Sequence, residues 1–168
     1  MTVTALRKSP EALTMTIHSE FDATAERVWQ LWADPRQLER WWGPPAYPAT
    51  FTRHDLAPGS RVEYHMTGPT GDQPRGYWDI IATDPPRSLV FHQGLAKDDG
   101  TPNDDIPRHE ARVAIEGIGQ GRTRMSIEFH FPSAETMEQM IAMRMDEGIV
   151  EAVAQIDAIL AEGVAAKV

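Results

Sequence analysis

The residues of this chain best suited to recognising a ligand are tryptophans and methionines, concentrated in two segments. The first segment contains Trp29, Trp32, Trp41 and Trp42, and the second contains Met137, Met140, Met143 and Met145. Flat indole rings suit the half-wet mouth of a pocket, and flexible thioethers adapt to ligands of several shapes. Both sets also suit core filling, but methionines spaced this closely in a helix cannot share one face, so some must project into a cavity, an interface or solvent.

Few residues of this chain are suited to catalysis. The absence of cysteine excludes thiol nucleophiles, and no Gly-x-Ser-x-Gly nucleophile motif is present. Glu147 is the candidate catalytic residue, because a buried carboxylate with a raised pKa can act as a general acid or base. Glu147 and Arg144 also fit an ion pair on a solvated helix face. Catalysis is left open, and the sequence favours a protein that is not an enzyme.

The histidines and glycines do not form recognisable metal or nucleotide motifs. None of the six histidines follows a helical or short-spaced zinc pattern, so a metal site would need His65, His92 and His130 to converge from separate strands. The glycine-rich residues 117–121 lie between two predicted strands, with no following helix to bind a pyrophosphate. The sequence therefore predicts a hairpin turn there, no metal and no cofactor.

These residues are positioned by a predominantly β chain that ends in a helix. Alternating apolar residues predict a first strand at residues 13–21 and six more between residues 49 and 131, joined by short turns in an antiparallel sheet. Asp22 or Thr24 caps a short helix after the first strand, and a second short helix follows at residues 35–41. Because adjacent residues of one helix cannot both face a core, Trp41 and Trp42 are expected to divide between core and pocket.

A long final helix completes the pattern. Ser133 is its predicted N-cap, and apolar residues recur at three- and four-residue steps from Met137 to Leu160. A helix of about 28 residues would be roughly 42 Å long and would lie across the whole sheet. The predicted fold class is therefore α+β.

Composition limits the partners and the compartment. The formal net charge of −9 disfavours nucleic acid, because an acidic surface repels phosphates. No stretch approaches the roughly 18 apolar residues of a membrane-spanning helix. The absence of cysteines and of a secretory signal at the N-terminus fits a cytoplasmic location.

One segment resembles a known family. Residues 21–45, FDATAERVWQLWADPRQLERWWGPP, resemble the opening of the activator of heat shock protein 90 ATPase-like family, and residues 55–66 and 82–93 resemble later parts of it. The resemblance covers roughly residues 13–162 and implies the helix-grip fold of the START-like, or SRPBCC, superfamily. In that fold, a curved seven-stranded antiparallel sheet wraps around the long C-terminal helix, with two short helices after the first strand. Family members usually carry Gly-Trp where this chain has Gly148-Ile149.

The resemblance implies a single domain at residues 13–162, between a flexible N-terminal tail at 1–12 and a C-terminal tail at 163–168. It also implies binding of a small hydrophobic or aromatic molecule in a cavity between the sheet and the final helix. The expected lining residues are Trp32, Trp41, Trp42, Tyr64, Trp78, Phe91, Val113, Phe129, Met137, Ile141, Met145 and Gly148. The alternatives are a cavity enzyme of the cyclase, aromatase or hydrolase kind, and an interaction module that forms a homodimer or associates with a chaperone. An ionisable group in the pocket would favour the enzyme, and a large exposed apolar patch would favour the interaction module.

Overall fold

A computed structural model describes residues 3–165 of the chain. The strands are β1 Val3–Ser9, β2 Thr14–Phe21, β3 Ala49–Arg53, β4 Arg61–Met66, β5 Arg75–Asp84, β6 Ser88–Ala96, β7 His109–Gly119 and β8 Arg122–His130. The helices are α1 Ala25–Ala33, α2 Pro35–Leu38, α3 Ala134–Ala142, α4 Met145–Ala154 and α5 Ile156–Ala165. The prediction of an α+β chain is confirmed.

All eight strands form one antiparallel sheet in the order β1-β2-β8-β7-β6-β5-β4-β3. The predicted number of seven was wrong by one, because Val3–Ser9, part of the predicted flexible tail, pairs with β2. This strand has a weak sequence signal, since Arg7 and Lys8 interrupt its apolar residues. Its partly buried Val3 and Leu6 nevertheless pack against the core. At the other end of the chain, α5 extends into the predicted C-terminal tail, whose residues 166–168 lie outside the described part.

One short helix and a single helical turn follow β2, in place of two helices after the first strand. Thr24 caps α1 by accepting a hydrogen bond from the backbone N–H of Arg27 at 3.2 Å. Asp34 ends α1 and caps α2, which stops at Leu38 and so does not reach the tryptophan pair. Trp41 and Trp42 therefore lie in a turn and not in a helix, and both are buried.

The core on the inner face of the sheet is filled by aromatic rings. Trp78 stacks on Phe91 with ring centroids 4.2 Å apart. Trp32 meets Trp41 edge-on at 4.8 Å, and Trp42 meets Trp78 edge-on at the same distance. Offset and edge-on contacts are the favourable geometries for aromatic pairs, each stabilising by roughly 0.5–1.5 kcal/mol beyond burial. The inner face of the sheet is thus covered by closely packed aromatic side chains.

The C-terminal helix is broken, in contrast to the single long helix predicted. Ser133 caps α3 as expected, accepting from the Thr136 N–H at 3.1 Å. The chain then leaves the helical conformation at Arg144, whose φ of 65° and ψ of 31° are left-handed, and α4 begins at the next residue. A further irregularity at Gln155 separates α4 from α5 but keeps right-handed helical angles. The first break sets the position of the candidate site.

The glycine-rich segment is the predicted hairpin. Gly119 pairs with Arg122, which leaves Gln120 and Gly121 as a two-residue turn between β7 and β8. Both residues have positive φ, 56° and 71°, as a hairpin turn matching the strand twist requires. The interpretation of this segment as a turn is confirmed.

Candidate functional site

A cavity of about 200 Å³ opens between the sheet and the break in the C-terminal helix. We call it the break pocket. Its lining comprises Trp42, Pro44, Tyr47, Met66, Gln93, Phe129, Met143, Arg144, Met145, Gly148 and Ile149. Most of these side chains are aromatic, aliphatic or thioether groups, the usual lining of a small-molecule site. Met143, Arg144 and Met145, the residues at the break between α3 and α4, form part of this lining.

Gly148 lines the pocket and has no side chain to fill the space beside it. It lies inside α4, where glycine is less favourable than alanine by roughly 0.5–1 kcal/mol. A Cβ added to Gly148 would meet no atom within 4 Å, so packing does not require glycine at this position. The open space next to Gly148 belongs to the pocket, so a larger side chain at position 148 would extend into the pocket.

Beneath the pocket, the apolar interior contains a small group of polar atoms, which we call the polar cluster. It consists of the Tyr64 hydroxyl, the Gln93 amide and the indole N–H groups of Trp42 and Trp78. Gln93 Nε2 donates to the Tyr64 hydroxyl oxygen at 3.2 Å. Gly76 lies opposite Tyr64 across the sheet, and a Cβ there would be only 2.4 Å from the Tyr64 hydroxyl oxygen. Glycine at position 76 thus allows the phenol to reach this place.

Three atoms of the polar cluster lack hydrogen bonds. Gln93 Oε1, Trp42 Nε1 and Trp78 Nε1 are buried and have no hydrogen-bonding partner among residues 3–165. Burial raises the pKa of Tyr64 above its ordinary value of 10.0, and the facing polar groups of Trp42, Trp78 and Gln93 offset this only in part. The phenol therefore stays protonated at neutral pH. An unpaired buried polar atom costs roughly 1–3 kcal/mol, so this cluster is unusual in an otherwise apolar core.

Two ionisable side chains border the mouth. The Tyr47 hydroxyl donates to Asp72 Oδ2 at 3.0 Å, and this hydrogen bond raises the pKa of Tyr47. Arg144 extends into solvent, with 82% of its side chain exposed, and its Nε lies 3.5 Å from Glu147 Oε2. Neither group is poised to exchange a proton near neutral pH, because one is a stabilised phenol and the other a guanidinium.

Four of the twelve predicted lining residues line the break pocket: Trp42, Phe129, Met145 and Gly148. The other eight lie elsewhere. Seven of them are buried in the core, where they contact other side chains: Trp32, Trp41, Tyr64, Trp78, Phe91, Val113 and Met137. Ile141 is partly buried against the same core. All the aromatic residues of this set are buried, and most of them contact other core side chains and do not line the break pocket.

Sequence reasoning missed part of the lining. Pro44 and Tyr47 belong to a connecting segment, and no pattern in the sequence places a loop over a pocket. Gln93 had a detectable signal, because it continues the inward alternation of Leu89 and Phe91 along β6 and is polar at an inward position. A polar residue on the buried face of a strand often marks a binding group or an internal hydrogen bond.

The candidate catalytic and metal-binding residues do not converge on the pocket. The Glu147 side chain is 63% exposed and lies in a different groove, beside Leu6 and Val150. His92 and His130 flank Glu110 in register on neighbouring strands, whereas His65 lies on β4, two strands away from His92. Within residues 3–165, no group of three or more His, Asp or Glu side chains could hold a metal ion.

Two other structural features bear on partners and location. Ile81 and Met143 are the large hydrophobic side chains exposed in the described part of the chain. No helix there is both long and apolar enough to cross a membrane. A homodimer, a chaperone partner and a cytoplasmic location stay predictions.

Residues 22–161 match the family model described as Activator of Hsp90 ATPase homolog 1-like protein. The match extends from just before α1 into α5 and so includes every element around the break pocket. No curated protein sequence is significantly similar to the chain.

Solved structures support the same relationship. A crystal structure of a Mycobacterium smegmatis protein is 45% identical, with a TM-score of 0.87, and the match covers 94% of this chain and 96% of that one. A solution structure of a protein from Arthrobacter aurescens is 46% identical, with a TM-score of 0.92, and the match covers 96% of this chain and 93% of that one. A Silicibacter pomeroyi protein described as AHSA1 is 20% identical, with a TM-score of 0.71, and the match covers 89% of this chain and 99% of that one. This similarity shows that the two proteins share a fold.

Proposed function

The chain belongs to the Activator of Hsp90 ATPase homolog 1-like family, and we propose that it binds a small, mostly apolar molecule in the break pocket. The observation that carries the proposal is a pocket lined by tryptophan, phenylalanine and methionine side chains around the unfilled space at Gly148. Apolar surface buried in such a site contributes roughly 25 cal/mol per Å² to binding. The family is one in which such pockets are expected to hold ligands.

The pocket volume limits the ligand to about one or two rings. A cavity of about 150 Å³ accommodates benzene, and drug-sized molecules need about 300–1,000 Å³. The break pocket, at about 200 Å³, falls between these sizes. Ile149 contributes to this volume, because a tryptophan at the same position would occupy part of the space that Ile149 leaves open. We therefore expect single-ring or fused two-ring compounds, and short branched aliphatic ones, as ligands.

Binding fits the site better than acid-base catalysis does. Among the described lining residues, none carries a carboxylate or an imidazole, the groups that most often transfer protons near neutral pH. Glu147, the residue on which the enzyme alternative depended, faces solvent in a separate groove. The aromatic interior restricts the space available for a ligand but supplies a rigid wall, which lowers the entropic cost of binding.

The test measures binding directly and blocks the pocket by substitution. The wild-type protein is titrated with naphthalene, indole and p-xylene while tryptophan fluorescence is recorded, and native mass spectrometry detects retained ligand. We expect saturable quenching, because Trp42 lines the pocket and contacts the other indoles. Gly148→Phe should weaken binding by at least about tenfold, because the new ring fills the space that the ligand needs.

The matched control is Ala154→Phe, which adds the same side chain to an exposed position of the same helix. It should bind like the wild type. Circular dichroism and thermal unfolding establish that both variants are folded. If no probe binds to the wild type at millimolar concentration, or if Gly148→Phe binds as well as Ala154→Phe does, the break pocket is not the binding site.

A further inference from the structure

We propose that the break pocket selects a ligand with a neutral hydroxyl group, which accepts a hydrogen bond from Trp42 Nε1–H and donates one to Gln93 Oε1. This inference rests on the proposed function and specifies the chemistry of the ligand's buried end. Its starting point is that Trp42 and Gln93 both line the pocket, and each has one polar atom without a hydrogen-bonding partner among residues 3–165.

Trp42 and Gln93 are both held by packing against the same two residues, Tyr64 and Trp78. Trp42 is 5% exposed, with its ring 4.8 Å from that of Trp78 and 6.3 Å from that of Tyr64. Gln93 is held by its hydrogen bond to the same Tyr64, at 3.2 Å, and it is paired in register with Trp78 on β5. One residue, Tyr64, therefore fixes both the indole and the amide. The ligand would meet a preorganised donor and acceptor rather than two freely rotating side chains.

A hydroxyl fits this pair better than a charged group does. Gln93 Oε1 accepts hydrogen bonds only, and Trp42 Nε1–H donates only. A carboxylate could accept from Trp42 but would place its negative charge against the Gln93 oxygen, and an ammonium would meet the indole N–H. The cationic side chain among the described lining residues, Arg144, stands at the solvent side with 82% of its side chain exposed, so it cannot neutralise an acid at the buried end. A hydroxyl donates and accepts at one atom and carries no charge into the core.

The experiment compares p-cresol with p-xylene, two molecules of nearly the same shape that differ by a hydroxyl in place of a methyl group. Without partners in the pocket, p-cresol would bind more weakly, because its hydroxyl loses hydrogen bonds to water on entry. With both partners, we expect the wild type to bind p-cresol about tenfold more tightly than p-xylene. Isothermal titration calorimetry and ligand-observed NMR give the two dissociation constants.

Gln93→Leu removes the acceptor while keeping a similar volume, and Gln139→Leu is the control, because it makes the same substitution at an exposed position of α3 outside the pocket lining. In Gln93→Leu the preference for p-cresol should disappear while p-xylene still binds. In Gln139→Leu the preference should remain. The wild-type comparison is informative even if Gln93→Leu fails to fold, since it needs no variant.

The outcomes separate this inference from the proposed function. If the wild type binds p-xylene as tightly as p-cresol or more tightly, hydroxyl selection is wrong and the pocket stays a site for apolar ligands. If the p-cresol preference persists in Gln93→Leu, recognition occurs elsewhere and the assignment to Gln93 is wrong. If neither probe binds while naphthalene does, the polar cluster is not used by ligands of this size, which also overturns the inference but leaves the proposed function intact.

Discussion

Among single residues, His109 should make the largest contribution to the pH dependence of stability. Its side chain, 3% exposed, lies on β7 beside Phe129 and Phe131, with ring centroids 5.7 Å and 5.4 Å away. Burial, with a smaller effect of His92, lowers the pKa of His109 from 6.5 to about 4. The unfolded chain therefore binds a proton near pH 6.5 that the folded chain does not bind until about pH 4. The free energy of unfolding should fall as the pH decreases through this window, by about 3 kcal/mol at most.

The measurement is urea unfolding at pH values from 7.5 to 4.5. In His109→Leu the part of the slope due to this imidazole should be absent, because neither state of the variant titrates there. His18→Asn is the control, since it removes a histidine that is only half-buried, on β2. Equal slopes for the wild type and His109→Leu would contradict the buried, neutral state of His109.

At this same scale, the sequence predicted which residues face inward and could not predict which of them leave space. Alternation along β6 and β8 places Phe91 and Phe129 on the same face, and both are buried there. Phe91 nevertheless stacks in the core, whereas Phe129 lines the pocket. That difference depends on how rings from distant segments fit together, which periodicity does not encode. Gln93 is the exception, since a polar residue at an inward position is visible in the sequence itself.

Among the secondary-structure elements, the break between α3 and α4 is held by a strained residue. Arg144 has a left-handed conformation, which costs an L-residue with a side chain roughly 1–2 kcal/mol and costs glycine almost nothing. Arg144→Gly should remove this strain, partly offset by the greater freedom of glycine in the unfolded chain. We expect Arg144→Gly to be more stable than Arg144→Ala by about 1 kcal/mol in denaturant unfolding.

Arg144→Ala is the reference because it also lacks the guanidinium and its exposed contact with Glu147 but keeps a Cβ. Comparing glycine with alanine thus isolates the backbone conformation from the loss of the arginine side chain. If the alanine variant were the more stable of the two, position 144 would be right-handed in solution and α3 would continue into α4. The break pocket would then close, so the same pair of variants should be tested for ligand binding.

The elements were predicted well where a local signal exists. Thr24 and Ser133 are sequence caps, and both accept the expected backbone hydrogen bonds. The break at Arg144 has no such signal, because no glycine or proline marks it and the apolar spacing continues through it. A left-handed arginine is stabilised by packing on either side rather than by its own preference. Strand β1 was missed for a related reason, since its pairing with β2 compensates for a weak apolar pattern.

In the whole molecule, the first strand and the C-terminal helices are in direct contact. Strand β1 forms one edge of the sheet, and both β1 and β2 contact α4. Lys8 Nζ on β1 lies 2.5 Å from Asp146 Oδ2 in the first turn of α4, where a negative side chain also interacts favourably with the helix dipole. The N-terminal strand thus supports the helix that forms one wall of the break pocket, a long-range relation that local sequence patterns cannot reveal.

This contact predicts an interaction between residues 138 positions apart, measurable with Lys8→Met, Asp146→Asn and the double variant. Because Lys8 is 38% exposed, the coupling free energy should be only about 0.5–1 kcal/mol, and 1 M NaCl should reduce it. The hydrogen bond from Lys8 lowers the pKa of Asp146, so the coupling should be present at neutral pH and disappear as the pH falls below the ordinary aspartate value of 3.8.

Either single variant should also speed hydrogen exchange of the β1 amides, whereas breaking the local Arg36–Glu39 pair should not. Zero coupling with unchanged β1 exchange would mean that the strand is held by β2 alone.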